Sequence, residues 1–138
     1  IQPLPGQPLK DLRIPEPGTY VLADRRLRIA YARPVISKDS DAATLDAGKV
    51  EFPLTLRLCH PGDRFVPFGM QGSRLVSDFL TDLKCNLFEK QRQLVLADAA
   101  GKILWVVGKR TDNRFRIDSH TVKALVVTSI DPSREGDF

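Results

Sequence analysis

The sequence has few of the residues that build cross-linked, metal-binding or membrane-spanning proteins. Its 138 residues include two cysteines, Cys59 and Cys85, which lie far apart and without CxxC spacing. This spacing argues against a disulfide framework and a zinc site, and predicts inert thiols in a reducing cytosol. No apolar run approaches the roughly 20 residues of a membrane-spanning helix, and no secretory signal opens the chain. We therefore expect a cytoplasmic protein with no membrane partner.

The motifs of nucleotide and nucleophile chemistry are also missing. The sequence contains no P-loop, no dinucleotide fingerprint and no Ser-Gly-Gly-x-Asp-Ser pyrophosphate loop. His60 and His120 have no neighbours that would make a metal or nucleophile site, and Asp78 and Asp82 have the spacing of solvated helix charges or of partners for the N-terminal helix dipole. Residues 69–73 favour a structural turn over a phosphate-binding loop. The sequence thus predicts no catalytic residue, no metal ligand and no cofactor in this chain.

The length fits one domain with short appendages. Five of the ten prolines fall in residues 1–17, which predicts a linker or an extended edge, because proline fixes φ and removes a hydrogen-bond donor. We predict a lead-in β-hairpin over residues 18–35 and a surface connection over 36–52. An α+β domain over 53–130 and a tail over 131–138 complete the chain. Because the chain starts at isoleucine, we expect it to be a piece of a longer protein.

Strands are predicted on both sides of two short helices. Residues 53–58 alternate apolar and polar side chains, which is typical of a half-buried strand. Further strands are predicted at 18–22, 27–31, 44–46, 93–97, 102–107, 114–118 and 122–130. The first helix is expected to start after Ser73 as its N-cap and to bury one apolar face, formed by Leu75, Val76, Phe79, Leu80 and Leu83. The second helix is expected to start at Asn86, whose spacing to Glu89 matches a capping box. This order indicates an α+β fold with a largely antiparallel sheet.

Positive charge is concentrated in one part of the chain. The whole sequence has a net charge of +4, whereas residues 84–123 contain nine bases and four acids and so carry +5. Such a concentration suits a polyanionic partner. An ordinary solvated face is the equally weighted alternative.

Nine basic residues are candidates for binding RNA. On a predicted strand, Arg114 and Arg116 would lie on one face about 7 Å apart and could straddle successive phosphates. Local pairing with Asp112 and Asp118 is the alternative, and Arg64 could equally pair with Asp63 or with a helix carboxylate. The candidate RNA-binding residues are Arg64, Arg74, Lys84, Lys90, Arg92, Lys109, Arg110, Arg114 and Arg116.

Several ordered motifs resemble those of a known family. They are Asp46-x5-Phe52-Pro53-Leu54-Thr55-Leu56-Arg57, Gly62-Asp63-Arg64-Phe65-x-Pro67-x-Gly69-Met70, Ser77-Asp78-Phe79-Leu80-x-Asp82-x-Lys84, and Ile103-Leu104-Trp105-Val106-Val107-Gly108-x-Arg110-x-Asp112-x-Arg114-Phe115. Together they resemble the C-terminal region of the tRNA(Ile)-lysidine synthases, over about residues 46–130. Residues 17–20 resemble the lead-in. Cys85-Asn86 departs from the pattern, because many members have proline after the lysine.

The resemblance implies a tRNA-binding domain of an ATP-dependent ligase. The intact enzyme would join lysine to the wobble cytidine of tRNA(Ile) with a CAU anticodon, through an adenylated tRNA. ATP, with Mg, would bind an N-terminal pyrophosphate-loop domain that is absent from this chain. This chain would position the tRNA by its acceptor stem, with a fold shared with the phenylalanyl-tRNA synthetase β subunit. The implied partners are tRNA(Ile) and the N-terminal catalytic domain. The alternative is a structural or dimerisation domain, which packs on the catalytic half or forms a homodimer and touches RNA little.

Overall fold

The computed structural model describes residues 11–22, 25–35 and 41–130. In chain order the strands are β1 (Leu12–Ile14), β2 (Gly18–Leu22), β3 (Arg25–Ala32), β4 (Ala42–Asp46), β5 (Leu54–Leu58), β6 (Arg64–Phe65), β7 (Arg74–Leu75), β8 (Leu94–Ala97), β9 (Ile103–Val106), β10 (Arg110–Thr111) and β11 (Ala124–Ile130). The helices α1 (Val76–Asp82) and α2 (Leu87–Gln91) separate β7 from β8. Short 3-10 turns occupy Ala47–Lys49 and Asn113–Phe115.

The strands form two main antiparallel sheets and one small hairpin. The larger sheet has the order β1-β5-β8-β9-β10, the smaller one β2-β3-β11-β4, and β6 pairs with β7. The predicted α+β fold, with largely antiparallel strands and two short helices, is confirmed. The predicted lead-in hairpin belongs to the same sheet as β11, because β3 pairs with β11 along its length.

Parts of the predicted appendages lie outside the described residues. Residues 1–10 of the predicted linker, 36–40 of the predicted connection and the predicted tail over 131–138 are in this group. Within the predicted linker, β1 forms an edge strand of the larger sheet and pairs with β5. The boundaries between these segments stay a prediction.

Two hydrophobic clusters divide the molecule into three layers. The larger cluster lies between the two main sheets and includes Leu45 and Leu125 from the smaller sheet and Leu56 and Trp105 from the larger one. The second cluster covers the other face of the larger sheet with α1 and β6. Every residue of β8 and β9 is buried, because these central strands contact one cluster on each face. The helix layer, formed by α1 and β6, therefore lies on one side of the larger sheet.

The first helix begins later than the sequence predicted. Ser73 is not its N-cap, because Arg74 and Leu75 pair with β6 as strand β7 and the helix starts only at Val76. The hydroxyl of Ser73 instead accepts a hydrogen bond from Arg64 Nε at 2.9 Å. The predicted apolar face is confirmed for Val76, which is buried together with Phe79 and Leu80.

The two ends of the predicted apolar face differ from expectation. Leu75 is only half-buried in β7, and Leu83 is 43% exposed beyond the last residue of α1. Inside the face, the rings of Phe65 and Phe79 meet edge to face with centroids 5.1 Å apart, a favoured aromatic geometry. This contact joins α1 to the β6–β7 hairpin.

The predicted strand over residues 114–118 is wrong. Asn113–Phe115 form a 3-10 turn whose N-cap is Asp112, and the carboxylate of Asp112 accepts a hydrogen bond from the backbone N–H of Arg114 at 2.8 Å. An aspartate cap of this kind competes with extended backbone. Arg114 and Arg116 therefore do not alternate along a strand.

The capping box of the second helix is confirmed. The side chain of Asn86 accepts a hydrogen bond from the backbone N–H of Glu89 at 2.8 Å, and the Glu89 carboxylate accepts one from the Asn86 N–H at 3.0 Å. Both contacts are local in sequence, which is why spacing alone predicts them.

Candidate nucleic-acid interface

A tight turn between β5 and β6 is held by one carboxylate. Asp63 accepts hydrogen bonds from both terminal nitrogens of Arg57, at 2.8 and 3.2 Å, and from the backbone N–H of His60 at 2.7 Å. Gly62 has φ 88°, which glycine adopts without a steric cost. Burial raises the pKa of Asp63, but the hydrogen bonds from Arg57 and His60 outweigh it and leave that pKa below its usual value. Asp63 forms its ion pair with Arg57, so the alternative pairing of Arg64 with Asp63 does not occur.

The cysteine beside this turn is a poor nucleophile. Cys59 is half-buried, and burial together with the nearby Asp63 carboxylate raises its thiol pKa to about 12. The thiol therefore stays protonated at neutral pH, and only a thiolate would attack or bind a metal.

Three candidate residues contact α1. The guanidinium of Arg110 lies over the ring of Phe79, 5.2 Å from its centroid. The ammonium of Lys90 donates a hydrogen bond to Thr81 Oγ1, and Arg74 forms an ion pair with Asp82 at 2.6 Å. The first two bring positive charge to the helix layer, whereas the charge of Arg74 is offset by its partner.

Lys84 lies directly after α1 in a conformation that is rare for lysine. Its φ is 66°, in the left-handed region. The backbone N–H groups of Lys84 and Cys85 donate to the carbonyls of Thr81 and Leu80, at 2.9 and 3.0 Å. This pair of bonds is a Schellman motif, in which glycine usually occupies the left-handed position. The motif ends α1 and leads the chain into α2.

Arg92 lies at the other end of α2 and stacks on an aromatic ring. Its guanidinium is 5.1 Å from the ring centroid of Phe88. Lys109 is exposed in the turn between β9 and β10. Arg64 is exposed on β6 and donates to the hydroxyl and the carbonyl of Ser73. None of these three bases has a carboxylate partner in the described part of the chain.

The geometry predicted for Arg114 and Arg116 is also wrong. The guanidinium of Arg114 donates to both carboxylate oxygens of Asp112, at 3.0 and 2.9 Å, and this hydrogen bonding raises the arginine pKa. Arg116 donates to the carbonyl of Asn113, while Asp118 pairs with Lys49. The alternative of local pairing therefore holds for Arg114 and not for Arg116. Arg114 offers a largely neutralised charge to any ligand.

Seven of the nine candidates thus have no carboxylate partner within residues 11–22, 25–35 and 41–130, since only Arg74 and Arg114 form such pairs. Their binding of RNA stays a prediction. Contacts bring Lys90 and Arg110 to α1, Lys84 adjoins that helix, and Arg92 contacts the neighbouring α2. The structure does not bring Arg114 and Arg116 together as a rigid pair.

Sequence reasoning missed two exposed apolar side chains on α2. Leu87 is 69% exposed and Phe88 is 65% exposed. No residue of this five-residue helix is buried. The sequence carried no signal that these two side chains would be exposed, because the equally adjacent Phe79 and Leu80 of α1 are both buried.

The described residues offer no site for a metal ion and no membrane span. Within the three described ranges, His, Cys, Asp and Glu side chains nowhere gather in groups of three or more that could hold a metal ion. Among the helices of those ranges, none has the length and apolar character to cross a bilayer.

Comparison with known proteins gives a consistent result. Residues 54–127 match the family model described as "TilS substrate C-terminal domain". A tRNA(Ile)-lysidine synthase from Parabacteroides distasonis is 49% identical over 92 residues, which cover 67% of this chain and 21% of that protein. The chain thus spans about a fifth of the length of such curated relatives.

Two solved structures share the fold. A crystal structure of a TilS C-terminal domain has a TM-score of 0.73 and 21% identity, covering 89% of this chain and 98% of that one. An N-terminal fragment of the phenylalanyl-tRNA synthetase β subunit from Pyrococcus horikoshii has a TM-score of 0.56 and 16% identity, covering 64% of this chain and 27% of that one. At these identities the likeness concerns the fold alone, and it confirms the fold relationship that the sequence motifs implied.

Proposed function

Because the chain belongs to the family of TilS substrate C-terminal domains, we propose that it is the tRNA-binding domain of a tRNA(Ile)-lysidine synthase. The parent enzyme would be a cytoplasmic, ATP-dependent ligase that attaches lysine to the wobble cytidine of tRNA(Ile). Its ATP, Mg and catalytic residues would belong to an N-terminal domain outside this chain. The fragment would position the tRNA, with the acceptor stem as its contact.

One observation carries this proposal: bases without carboxylate partners gather around the helix layer. Arg110 and Lys90 contact α1, and Lys84 follows directly after that helix. A duplex RNA stem presents phosphates and 2′-hydroxyls along a wide, shallow minor groove, and proteins recognise it largely by shape and backbone contacts. Cations on a rigid layer fit that requirement, since phosphate contacts position the ligand without reading its bases.

Salt-dependent titration with tRNA(Ile) tests the proposal. In a plot of log affinity against log salt concentration, each lost contact with a duplex phosphate makes the negative slope shallower by about 0.9. The double variant Lys84→Ala/Lys90→Ala should therefore bind more weakly at low salt, with a slope flatter by about 1.8. Lys102→Ala is the matched control, because Lys102 is an exposed lysine between β8 and β9 and is not one of the nine candidates. An unchanged slope in the double variant, or an equal change in the control, would remove this surface from the interface.

The exposed side chains of α2 favour a second candidate function. Leu87 and Phe88 could pack on the catalytic half of the enzyme or form a homodimer, leaving RNA little contacted. Light scattering during a tRNA titration separates the two functions. A dimer whose mass does not change with tRNA would support the second function, whereas a monomer that gains the mass of one tRNA would support the first.

A further inference from the structure

The short helix α2 is well anchored, yet none of its residues is buried. The capping box of Asn86 and Glu89 closes its N-terminal end. A hydrogen bond from Lys90 to Thr81 ties it to α1. The exposure of Phe88 is therefore a feature of an ordered helix. An anchored helix that offers an aromatic ring to solvent is suited to binding a ligand.

The ring of Phe88 lies beside one positive charge and has two more close to it in sequence. The Arg92 guanidinium is stacked over it at 5.1 Å, and Lys84 and Lys90 flank it in sequence. Glu89 is the acid of this segment, and its carboxylate is engaged by the Asn86 N–H of the capping box. An apolar protein partner would have to desolvate these cations, which is costly without paired anions. A nucleotide supplies both a flat π-surface for the ring and a phosphate for the cations.

We infer that Phe88 and Arg92 form a stacking site for one unpaired base of the bound RNA. Unpaired bases stack on aromatic rings and on guanidinium planes, whereas bases inside a stem are not accessible to such a ring. The inference rests on the proposed RNA-binding function and deepens it. It assigns α2 to a single-stranded nucleotide that adjoins a duplex, beside the duplex contacts around α1.

Two RNAs distinguish the stacking site from the duplex contacts. One is a blunt RNA duplex, and the other is the same duplex with a single-stranded 3′ extension. The 138-residue chain should bind the extended RNA more tightly. Phe88→Leu keeps an apolar side chain and removes the aromatic ring, so it should weaken binding of the extended RNA by about tenfold, within the range of one base–aromatic stack. Its affinity for the blunt duplex should not change.

A matched control and a reporter variant complete the test. Phe68→Leu removes another partly exposed aromatic ring, on the loop that follows β6, and should leave both affinities unchanged. Phe88→Trp should retain the preference for the extended RNA. It also places a fluorophore at the site, and a stacked base should quench it. The native Trp105 is 1% exposed and should not respond.

Each outcome bears on one of the two claims. Equal affinity for the two RNAs, or equal losses in the Phe88→Leu and Phe68→Leu variants, would overturn the stacking site and leave the duplex-binding function standing. Failure of the unaltered chain to bind even the blunt duplex would overturn the proposed function itself. A concentration-dependent dimer that Phe88→Leu dissociates would make α2 a protein interface and would also overturn the stacking site.

Discussion

Replacing Lys84 with glycine should stabilise the fold while weakening RNA binding. Lys84 occupies the left-handed position of the Schellman motif with φ 66°. A side chain in this region costs about 1–2 kcal/mol, because Cβ approaches the following carbonyl oxygen. Glycine removes that cost. Its greater conformational freedom in the unfolded chain lowers the free energy of unfolding by about 0.5–1 kcal/mol. The free energy of unfolding should therefore rise by about 0.5–1 kcal/mol.

The contacts of Lys84 support this magnitude. Within the part of the chain that the structure describes, its side chain has no hydrogen bond or ion pair that the substitution would remove. The two backbone bonds of the motif do not depend on the side chain, since both come from N–H groups. For a domain of this size the gain corresponds to a melting temperature higher by about 3 °C.

Lys84→Ala is the matched control. Alanine removes the same charge and keeps Cβ, so stability should stay within about 0.5 kcal/mol of the unaltered chain. Both variants should lose one phosphate contact and flatten the salt dependence of tRNA binding by about 0.9. Urea unfolding measures the first effect and a salt-dependent titration the second. Equal stability of the glycine and alanine variants would refute the strain argument, and an unchanged salt slope in both would refute the phosphate contact.

Two further predictions concern carboxylates. Asp112 is fully buried and accepts bonds from the backbone N–H groups of Val66 and Arg114, so Asp112→Ala leaves both donors without this acceptor and should lower the free energy of unfolding by about 2–4 kcal/mol; a loss under about 1 kcal/mol in urea unfolding would contradict this. Burial alone would raise the pKa of Asp63, but the hydrogen bond from Arg57 lowers it below the ordinary value, so the pair stabilises the fold above about pH 4 and less as the pH falls. Asp63→Asn should therefore show a shallower loss of stability on acidification from pH 5 than the unaltered chain, and parallel curves would disprove the linkage. Some acid sensitivity should persist in that variant, because the hydrogen bond from Lys49 holds the pKa of Asp118 at about 2.

The features that the sequence predicted correctly are local. The capping box of Asn86 and Glu89 depends on groups three residues apart, and the buried face of α1 depends on helical spacing. The alternation in β5 likewise reflects a strand with one face on the core. In each case the interacting groups are near neighbours along the chain, so their spacing carries the information.

The incorrect predictions come from contacts between distant segments. Ser73 would cap a helix in isolation, but pairing of β7 with β6 draws the preceding residues into a hairpin. Arg114 would continue a strand, but Asp112 is buried against the loop after β6 and accepts a bond from the Val66 N–H, which favours a capped turn. The spacing of neighbouring residues does not show which distant segment a stretch of backbone will contact in the folded chain.

The order of residue types alone determined the family, the antiparallel α+β class and the list of basic candidates. Tertiary packing decided which of those charges are offset, because a buried carboxylate such as Asp112 pairs with Arg114 only once the chain is folded. It also decided that Phe88 is exposed beside Arg92, because α1 and β6 rather than α2 supply the side chains that pack on the outer face of the larger sheet. Burial and pairing depend on the three-dimensional neighbours of a side chain, and these are set by the folded sheets.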